Sequence, residues 1–297
     1  MKKMLFVVNP YAGTRKINKV LSDIIGIFNR AQYQVITYMT ASQGDCREAV
    51  KKWADGMDLV VCAGGDGTFN ETVNGLMERG LDIPVGYIPC GSTNDFAASL
   101  KISTNLLQAA KDIVEGSPEP FDIGQFNQRY FTYVASFGAF TRTSYSTSQT
   151  IKNALGHMAY LLEGIQELSQ IRKEHIRIRW DEGELEDDYI FGAVCNSTSV
   201  GGVLTLDPKQ VDMCDGLFEV LLVRSPKDLL EVGDCLRALQ RHKYNCAMMT
   251  FFSASKLEID ASEKMPWALD GEMEKGHSNV TIQNLHSRIR LMKRKTE

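Results

Sequence analysis

The first third of the chain alternates short, continuous apolar segments with amphipathic ones. "KMLFVVNP" is an apolar run that ends at Asn-Pro, which is typical of a strand buried on both faces. "INKVLSDIIGIF" follows with its apolar residues at helical spacing. The alternation continues through "YQVITYMT", "GDCREAVKKWAD", "DLVVCAG", "FNETVNGLME" and "IPVGYIPCG". Strands joined through helices predict a doubly wound, parallel α/β sheet, with its ligand site at the carboxyl ends of the strands.

After about Phe121 the pattern changes to short strand segments separated by turn residues. In "HIRIRW" the apolar residues Ile176, Ile178 and Trp180 alternate with arginines, which indicates a half-buried strand. Similar segments are "RYFTYVASFG", "DYIFGAVCNS", "LFEVLLVRS", "KLEIDAS" and "SNVTIQN". Two predicted helices interrupt them, "IKNALGHMAYLLEGIQELSQI" and "PKDLLEVGDCLRALQRHKY". The second region therefore predicts an antiparallel β-sandwich, with domains over residues 1–121 and 122–284.

Composition excludes several classes of protein. A length of 297 residues suggests about two domains, and a net charge of -4 argues against a nucleic-acid partner. The seven cysteines include no CxxC pair, which predicts reduced thiols without a disulfide framework or zinc site. The first apolar run is too short for a signal peptide, and none approaches the roughly 18 residues that cross a bilayer. These observations predict a cytoplasmic protein.

The glycine-rich segment "GGDGT", residues 64–68, predicts an anion-binding turn. A P-loop requires a lysine and a Ser or Thr after the glycines, and no GK[ST] follows. A dinucleotide-binding turn requires a third glycine where Asn70 stands. A turn without a ligand would not need three glycines in four positions, whereas backbone N–H groups at a helix start would bind phosphates. Because Asp66 would repel phosphates, the turn predicts a nucleotide triphosphate carried with Mg²⁺.

Three further segments end predicted strands and join this site in a doubly wound sheet. "NPYAG", residues 9–13, ends the first strand, and Thr40 ends the second. "PCGSTNDFA", residues 89–97, ends the fourth and carries the polar residues Ser92, Thr93, Asn94 and Asp95. Each segment alone is ordinary turn chemistry. Four such loops at one edge of one sheet favour a binding site.

These motifs resemble the diacylglycerol-kinase-like lipid kinases, in their soluble bacterial branch, which is related to sphingosine kinases and NAD kinases. The matching segments are "NPYAG", "GGDGTFNETVNGL", "GSTNDFA", "KNALGHMAYLLEGI", "DGLFEV" and "LDGE", in order over nearly the whole chain. The resemblance implies an N-terminal ATP-binding α/β domain, a C-terminal β-sandwich for the lipid substrate, and an active site in the cleft between them. It also implies that residues 285–297 return to the first domain.

The resemblance implies roles for particular residues. Asp66 would organise the catalytic Mg²⁺ with Asp95 close by, and Glu272 would be the general base on the substrate hydroxyl. Residues implied to hold ATP are Asn9, Pro10, Tyr11, Ala12, Gly13, Thr40, Gly64, Gly65, Asp66, Gly67, Thr68, Phe69, Asn70, Glu71 and Ser92. A second Mg²⁺ site is implied at Asp212, Asp215 and Leu217. Without the resemblance, Glu272 and Asp215 would be read as surface acids in turns.

The sequence departs from the family pattern after the glycine of "NPYAG". Many members have a lysine there, whereas this chain has Thr14. The cation that meets the phosphates is therefore Arg15, Lys16 or Lys152, and the sequence leaves the three open.

The resemblance implies ATP- and Mg²⁺-dependent phosphorylation of a lipid hydroxyl. The alternatives are an NAD kinase-like phosphotransferase and a nucleotide-binding regulator without turnover; "GSTNDFA" and "LDGE" favour the lipid branch. A lipid substrate implies peripheral association with the inner face of the membrane, through an apolar helix face or the basic residues 288–295. No nucleic acid and no stable protein partner are expected, although an exposed sheet edge could pair two copies.

Overall fold

The computed structural model describes residues 1–92, 94–138, 172–200 and 204–294. The chain divides into two compact units, Met1–Ile123 with Ser287–Glu297, and Gly124–His286. Two strands, β5 (Ser117–Phe126) and β17 (Asn279–Lys293), contribute residues to both units. The helix predicted over residues 151–171, including Lys152, lies outside the described residues.

The first unit is the predicted α/β domain with a parallel sheet. Its elements are β1 (Lys2–Val8), α1 (Ile17–Arg30), β2 (Tyr33–Met39), α2 (Asp45–Trp53), β3 (Leu59–Gly64), α3 (Asp66–Arg79), β4 (Val85–Pro89), α4 (Asp95–Ser99) and α5 (Leu106–Glu115). The strand order is β2-β1-β3-β4-β17, and β17 joins β4 where Leu291 lies opposite Val85. The doubly wound prediction is confirmed, and α4 and α5 are additions to it.

Burial explains the apolar runs of this unit. The β1 residues Met4 to Val8 and all six residues of β3 are buried, because helices cover both faces of the sheet. In α1 the buried residues Ile17, Ile24 and Phe28 share one face of the helix, which packs on the sheet. Because the strands are parallel, their carboxyl ends lie at one edge of the sheet, which places the loops that follow.

The second unit is antiparallel. Its elements are β6 (Arg129–Phe131), β7 (Val134–Gly138), β8 (Glu174–Trp180), β9 (Gly183–Cys195), β10 (Ser199–Val200), β11 (Leu204–Thr205), β12 (Phe218–Arg224), α6 (Leu229–Gln240), β13 (Met249–Ala254), β14 (Lys256–Asp260), β15 (Trp267–Leu269) and β16 (Glu272–Glu274). One run of strands is β16-β15-β7-β9-β8-β14-β17, with β12 beside β9, β13 beside β12, and β6 beside β5. The predicted β-sandwich class is confirmed.

The second unit differs from the prediction in detail. The predicted single strand "RYFTYVASFG" is two strands, β6 and β7, because the residues between them turn to bind a buried carboxylate. The strands β5, β10, β11, β13, β15 and β16 were not predicted, and the last two are three residues each. Trp267 anchors this region by edge contacts with Phe126 and Phe137, each at 5.0 Å between ring centroids. Among the described helices, none has the length and hydropathy needed to span a membrane.

Candidate functional site

Three glycine-bearing loops meet at the carboxyl edge of the parallel sheet. A Cβ at Gly13, whose φ is +51°, would lie 2.4 Å from the carbonyl oxygen of Cys90. A Cβ at Gly91 would lie 2.7 Å from the Cα of Gly65. Side chains at these positions would separate the loops that follow β1, β3 and β4. Glycine therefore lets the backbones touch, and it leaves their N–H groups close to any ligand at this edge.

Asp66 and Asp95 are brought together at the same edge. The Tyr87 hydroxyl donates a hydrogen bond to Oδ1 of Asp66 at 3.2 Å, and the backbone N–H of Asp95 donates to Oδ2 at 3.0 Å. The two residues begin α3 and α4, so both lie at helix N-termini, where negative charge is favoured. Burial raises the pKa of Asp95, because the ionised carboxylate loses contact with water that its protein neighbours do not replace.

Asn9 joins the first loop to the glycine-rich turn. Its Nδ2 lies 3.4 Å from Oγ1 of Thr68, and its Oδ1 accepts a hydrogen bond from the N–H of Tyr11 at 3.0 Å. Thr40 is buried, and its N–H donates to the carbonyl of Val8 at 2.9 Å. The loops after β1, β2 and β3 therefore form one connected edge.

Two predicted nucleotide contacts have side chains engaged within the fold. The Phe69 ring is fully buried, with its centroid 4.9 Å from Tyr87 and 5.0 Å from Phe96. The Glu71 carboxylate accepts hydrogen bonds from the N–H groups of Gly44 at 2.7 Å and Cys46 at 3.1 Å. The Phe69 side chain thus packs the start of α3 against the core, and Glu71 ties α3 to the start of α2.

The remaining predicted residues of this edge differ in exposure. Arg15 is exposed with its guanidinium 5.5 Å from the ring centroid of exposed Tyr11. The other exposed positions are Gly13, Lys16, Gly67 and Ser92. Partly buried or buried positions are Pro10, Ala12, Gly64, Gly65 and Asn70. The sequence reasoning missed Gly91 and Tyr87; the glycine inside "PCGSTNDFA" was the available signal for the first.

Glu272 lies in a tight hairpin of the second unit. Asp270 and Gly271 join β15 to β16 and both have positive φ, +49° and +84°, as a two-residue type I′ turn requires. Glu272 begins β16, and its Oε2 lies 3.3 Å from Nη2 of Arg129. Nη1 of the same guanidinium lies 2.5 Å from Oε2 of Glu274.

Asp270 holds this hairpin and was missed by the sequence reasoning. Its buried carboxylate accepts hydrogen bonds from the N–H groups of Thr132 at 2.6 Å, Tyr133 at 2.9 Å and Val134 at 3.0 Å. It also accepts one from the Thr132 hydroxyl at 2.7 Å. Burial raises the pKa of Asp270, although these hydrogen bonds oppose the effect. The "LDGE" turn indicates a hairpin, but nothing in it shows that the aspartate is buried.

The predicted second metal site is a loop of oxygen groups before β12. Oδ1 of Asp212 accepts from the N–H of Cys214 at 3.0 Å, and Oδ1 of Asp215 accepts from the N–H of Leu217 at 2.9 Å. The Leu217 carbonyl accepts a hydrogen bond from Nδ2 of Asn284 at 3.0 Å. The structure therefore brings the three predicted residues into one loop.

Glu219 lies close to this loop and was also missed. It is 2% exposed, and burial raises its pKa to about 8, with the charges of Asp215 and Asp212 adding to the effect. Oε2 of Glu219 and Oδ1 of Asn284 are buried without a hydrogen-bond partner among the described residues. Oxygen atoms are the ligands that a hard cation such as Mg²⁺ prefers, but no three acidic, histidine or cysteine side chains among the described residues are grouped as a metal site.

Comparison with known proteins covers both halves of the chain. Residues 3–126 match the family described as diacylglycerol kinase catalytic domain. Residues 134–293 match the family described as YegS C-terminal NAD kinase beta sandwich-like domain. A diacylglycerol kinase of Bacillus subtilis (strain 168) is 33% identical over 92% of this chain and 90% of its own length. One of Staphylococcus carnosus (strain TM300) is 30% identical over 91% of this chain and 89% of its own length.

Solved structures show the same fold. A crystal structure of a diacylglycerol kinase from Bacillus anthracis has a TM-score of 0.75 at 22% identity, covering 98% of this chain and 97% of that one. A second structure from that organism has a TM-score of 0.81 at 25% identity, covering 98% and 95%. The lipid kinase family inferred from the motifs is therefore confirmed. Sequence and fold agree over both halves, and the chain belongs to the diacylglycerol kinase family.

Proposed function

We propose that this protein transfers the γ-phosphoryl group of ATP to the hydroxyl of a diacylglycerol-like lipid. The observation that carries the proposal is the contact of the Gly13, Gly65 and Gly91 loops beside Asp66. Backbone N–H groups at the start of a helix, without side chains in the way, suit the phosphates of a nucleotide. The relatives named diacylglycerol kinase supply the class of acceptor.

In this proposal ATP lies along the carboxyl edge of the sheet. The loop of residues 9–13, Thr40, the start of α3 and Ser92 surround it, as the sequence predicts. Exposed Arg15 and Lys16 are the described candidates for a cation at the phosphates. Glu71 contributes by holding the start of α2, and Phe69 contributes through its backbone.

Asp66 and Asp95 fit the Mg²⁺ that accompanies ATP. The backbone N–H of Asp95 donates to Oδ2 of Asp66, and burial raises the pKa of the Asp95 carboxyl, so both residues lie at an edge where a divalent cation would offset negative charge. When bound there, Mg²⁺ neutralises part of the phosphate charge. The chain contributes by orienting Asp66 through the hydroxyl of Tyr87 and by supplying the N–H groups of α3.

Glu272 is the proposed general base. Phosphoryl transfer passes through a loose transition state, so placement of the acceptor hydroxyl matters more than its prior ionisation. The Glu272 carboxylate accepts the hydroxyl proton as transfer proceeds, a contribution of about 10²–10⁴-fold in rate. The proposal requires that Asp66 and Glu272, which lie in different units, act on one pair of substrates.

The test of this proposal is ATP-to-ADP turnover with Mg²⁺ and mixed micelles. Candidate acceptors are diacylglycerol, phosphatidylglycerol, a sphingoid base and undecaprenol, beside NAD and a no-acceptor control. We expect diacylglycerol-dependent turnover, which Glu272→Gln lowers about 10²–10⁴-fold without weakening ATP binding. Glu182→Gln, at an exposed turn in the same unit, is the matched control. Full activity of Glu272→Gln would refute the base, and turnover with NAD alone would refute the lipid acceptor.

The proposal places the acceptor at a membrane surface, because a diacylglycerol resides in the bilayer. One candidate for contact among the described residues is Leu230 in α6, which is 78% exposed, whereas Val232 and Leu239 of the same helix are buried. Co-sedimentation with vesicles containing diacylglycerol tests this, and we expect Leu230→Gln to weaken it. Equal sedimentation of both proteins would show that α6 is not the contact.

The second Mg²⁺ site makes a separate prediction. Mg²⁺ without nucleotide should raise the melting temperature, because a ligand at about 100 times its Kd stabilises by about 2.7 kcal/mol. Asp215→Asn should remove most of this rise, whereas Asp66→Asn should keep most of it. An equal rise in Asp215→Asn and the unchanged protein would place the cation elsewhere.

A further inference from the structure

The proposed base shares its guanidinium partner with a second carboxylate. Arg129 contacts Glu272 at 3.3 Å through Nη2 and Glu274 at 2.5 Å through Nη1. We propose that Arg129 is a positioning residue, which holds the Glu272 carboxylate in the orientation that accepts the substrate proton. This inference rests on the proposed function.

The strand geometry explains why one arginine reaches both acids. Glu272 and Glu274 are two residues apart in β16, so their side chains leave the same face of the strand. Opposite them in β15 lie Leu269 and Trp267, which are both core residues. The two carboxylates therefore border the core face of the sheet, and Arg129 approaches them from β6.

The position of Arg129 is itself set by the core. It lies opposite Phe126 in the β5–β6 pair. The ring centroids of Phe126 and Trp267 are 5.0 Å apart. Trp267 in turn lies opposite Glu274. The arginine and the acids that it binds are thus attached to the same aromatic cluster, which fixes the distance between their backbones.

Glu274 is the better anchored of the two acids. Its side chain is 12% exposed, compared with 36% for Glu272, and Nε2 of His277 lies 3.4 Å from its Oε1. Burial alone would raise the pKa of Glu274, but the hydrogen bond from Arg129 leaves it lowered. Glu274 therefore stays ionised and holds one branch of the guanidinium, and the other branch points at Glu272.

Loss of this contact should affect rate more than folding. A glutamate side chain has several rotamers, and a misplacement of about 1 Å at a reacting group can cost about 10²-fold in rate. The Arg129–Glu272 pair is exposed on both sides and contributes little to stability, and His277 stays beside Glu274 when Arg129 is lost. Removal of Arg129 should therefore lower kcat while ATP binding and the melting temperature change little.

The experiment measures kcat, KM for ATP and melting temperature of the full chain, with diacylglycerol micelles. We expect Arg129→Met to lower kcat about 10–100-fold. Arg129→Lys should recover only part of it, because one ammonium cannot serve two carboxylates as a fork does. Glu274→Gln should lower kcat less than Arg129→Met, since Arg129 still reaches Glu272.

The chain offers a matched control in the same unit. Arg177 lies 2.5 Å from Glu184 and 3.7 Å from Glu186, and its side chain is 45% exposed, compared with 43% for Arg129. Arg177→Met removes the same kind of contact from a strand without a proposed role. We expect its kcat to remain within about twofold of that of the unchanged protein, because substitutions of exposed residues away from a site have small effects.

A double variant separates the outcomes. If Arg129 acts through Glu272, then Arg129→Met adds almost nothing to the loss already caused by Glu272→Gln. Full multiplication of the two losses would overturn the positioning role, as would an unchanged kcat in Arg129→Met when Glu272→Gln is inactive. Full activity of Glu272→Gln would instead refute the proposed function itself.

Discussion

The glycine-lined edge of the α/β unit and the Glu272 hairpin of the β unit are built in opposite ways. At the edge, Gly13, Gly65 and Gly91 bring three loops together because they have no side chain. In the hairpin, the side chain of Asp270 reaches a distant segment and holds the turn in place, and Arg129 reaches the two glutamates of β16.

The difference decides how visible each region is in the sequence. Glycines clustered after a strand are a local signal, since each one marks a point where the backbone must bend or approach another chain segment. The contacts of the hairpin join residues 138 and 143 positions apart, and each partner looks like an ordinary surface residue. The hairpin should therefore be sensitive to side-chain removal, and the edge to side-chain addition.

The largest expected effect is the loss of Asp270. Asp270→Ala removes the acceptor of three backbone N–H groups and one hydroxyl, all buried, which should cost about 3–5 kcal/mol of unfolding free energy. Denaturant unfolding, followed by tryptophan fluorescence, to which Trp267 in the same core contributes, measures the change. Asp270→Asn should cost less, because asparagine tolerates positive φ and keeps one acceptor.

The control for this prediction is Asp181→Ala, at an exposed turn between β8 and β9. It should change stability by no more than about 0.5 kcal/mol. Equal losses in Asp270→Ala and Asp181→Ala would mean that the hairpin does not depend on its buried carboxylate.

A smaller effect is expected where a side chain is added at the glycine-lined edge. Gly13→Ala places a methyl group 2.4 Å from a backbone oxygen at positive φ, which should cost about 2–3 kcal/mol and weaken ATP binding. Calorimetric melting and ATP titration measure the two changes.

Gly56→Ala separates crowding from backbone strain, because Gly56 has φ +73° with nothing within 4 Å of a Cβ. Its cost should be about 1 kcal/mol, from the positive φ alone. If Gly13→Ala were no worse than Gly56→Ala, the close approach of the loops would have no energetic weight.

The smallest effect on folding should come from Gly67, where a Cβ meets nothing within 4 Å. Gly67→Ala lies in the first turn of α3 and should leave stability unchanged or raise it by up to about 1 kcal/mol. It should nevertheless weaken ATP binding about tenfold, or about 1.4 kcal/mol, by crowding the proposed phosphate position.

Gly233→Ala in α6 is the matched substitution away from the site, with its nearest atom at 3.7 Å from a Cβ. Isothermal titration should show unchanged ATP affinity there. Unchanged affinity in Gly67→Ala as well would move the phosphates away from the start of α3.

The fold class and family followed from local patterns. Buried runs such as Met4 to Val8 and the amphipathic face of α1 predicted the parallel sheet, which the structure confirms. The sequence did not predict the short strands β15 and β16 or the short helix α4, because three to five residues carry too little periodicity to identify an element. The residue roles at the site stay predictions for the experiments above.

The sequence by itself determined the alternation of elements, the family, and the loops that carry glycine and acid, because each depends on neighbours along the chain. Only the tertiary structure decided that Asp270 is buried, that Arg129 binds Glu272, and that Glu219 is buried near Asp215 with one oxygen that has no hydrogen-bond partner among the described residues. Burial and the distance between remote side chains arise from packing of the whole unit. No local pattern encodes them, since an Asp-Gly turn at a solvated surface has the same local sequence as one whose aspartate is buried.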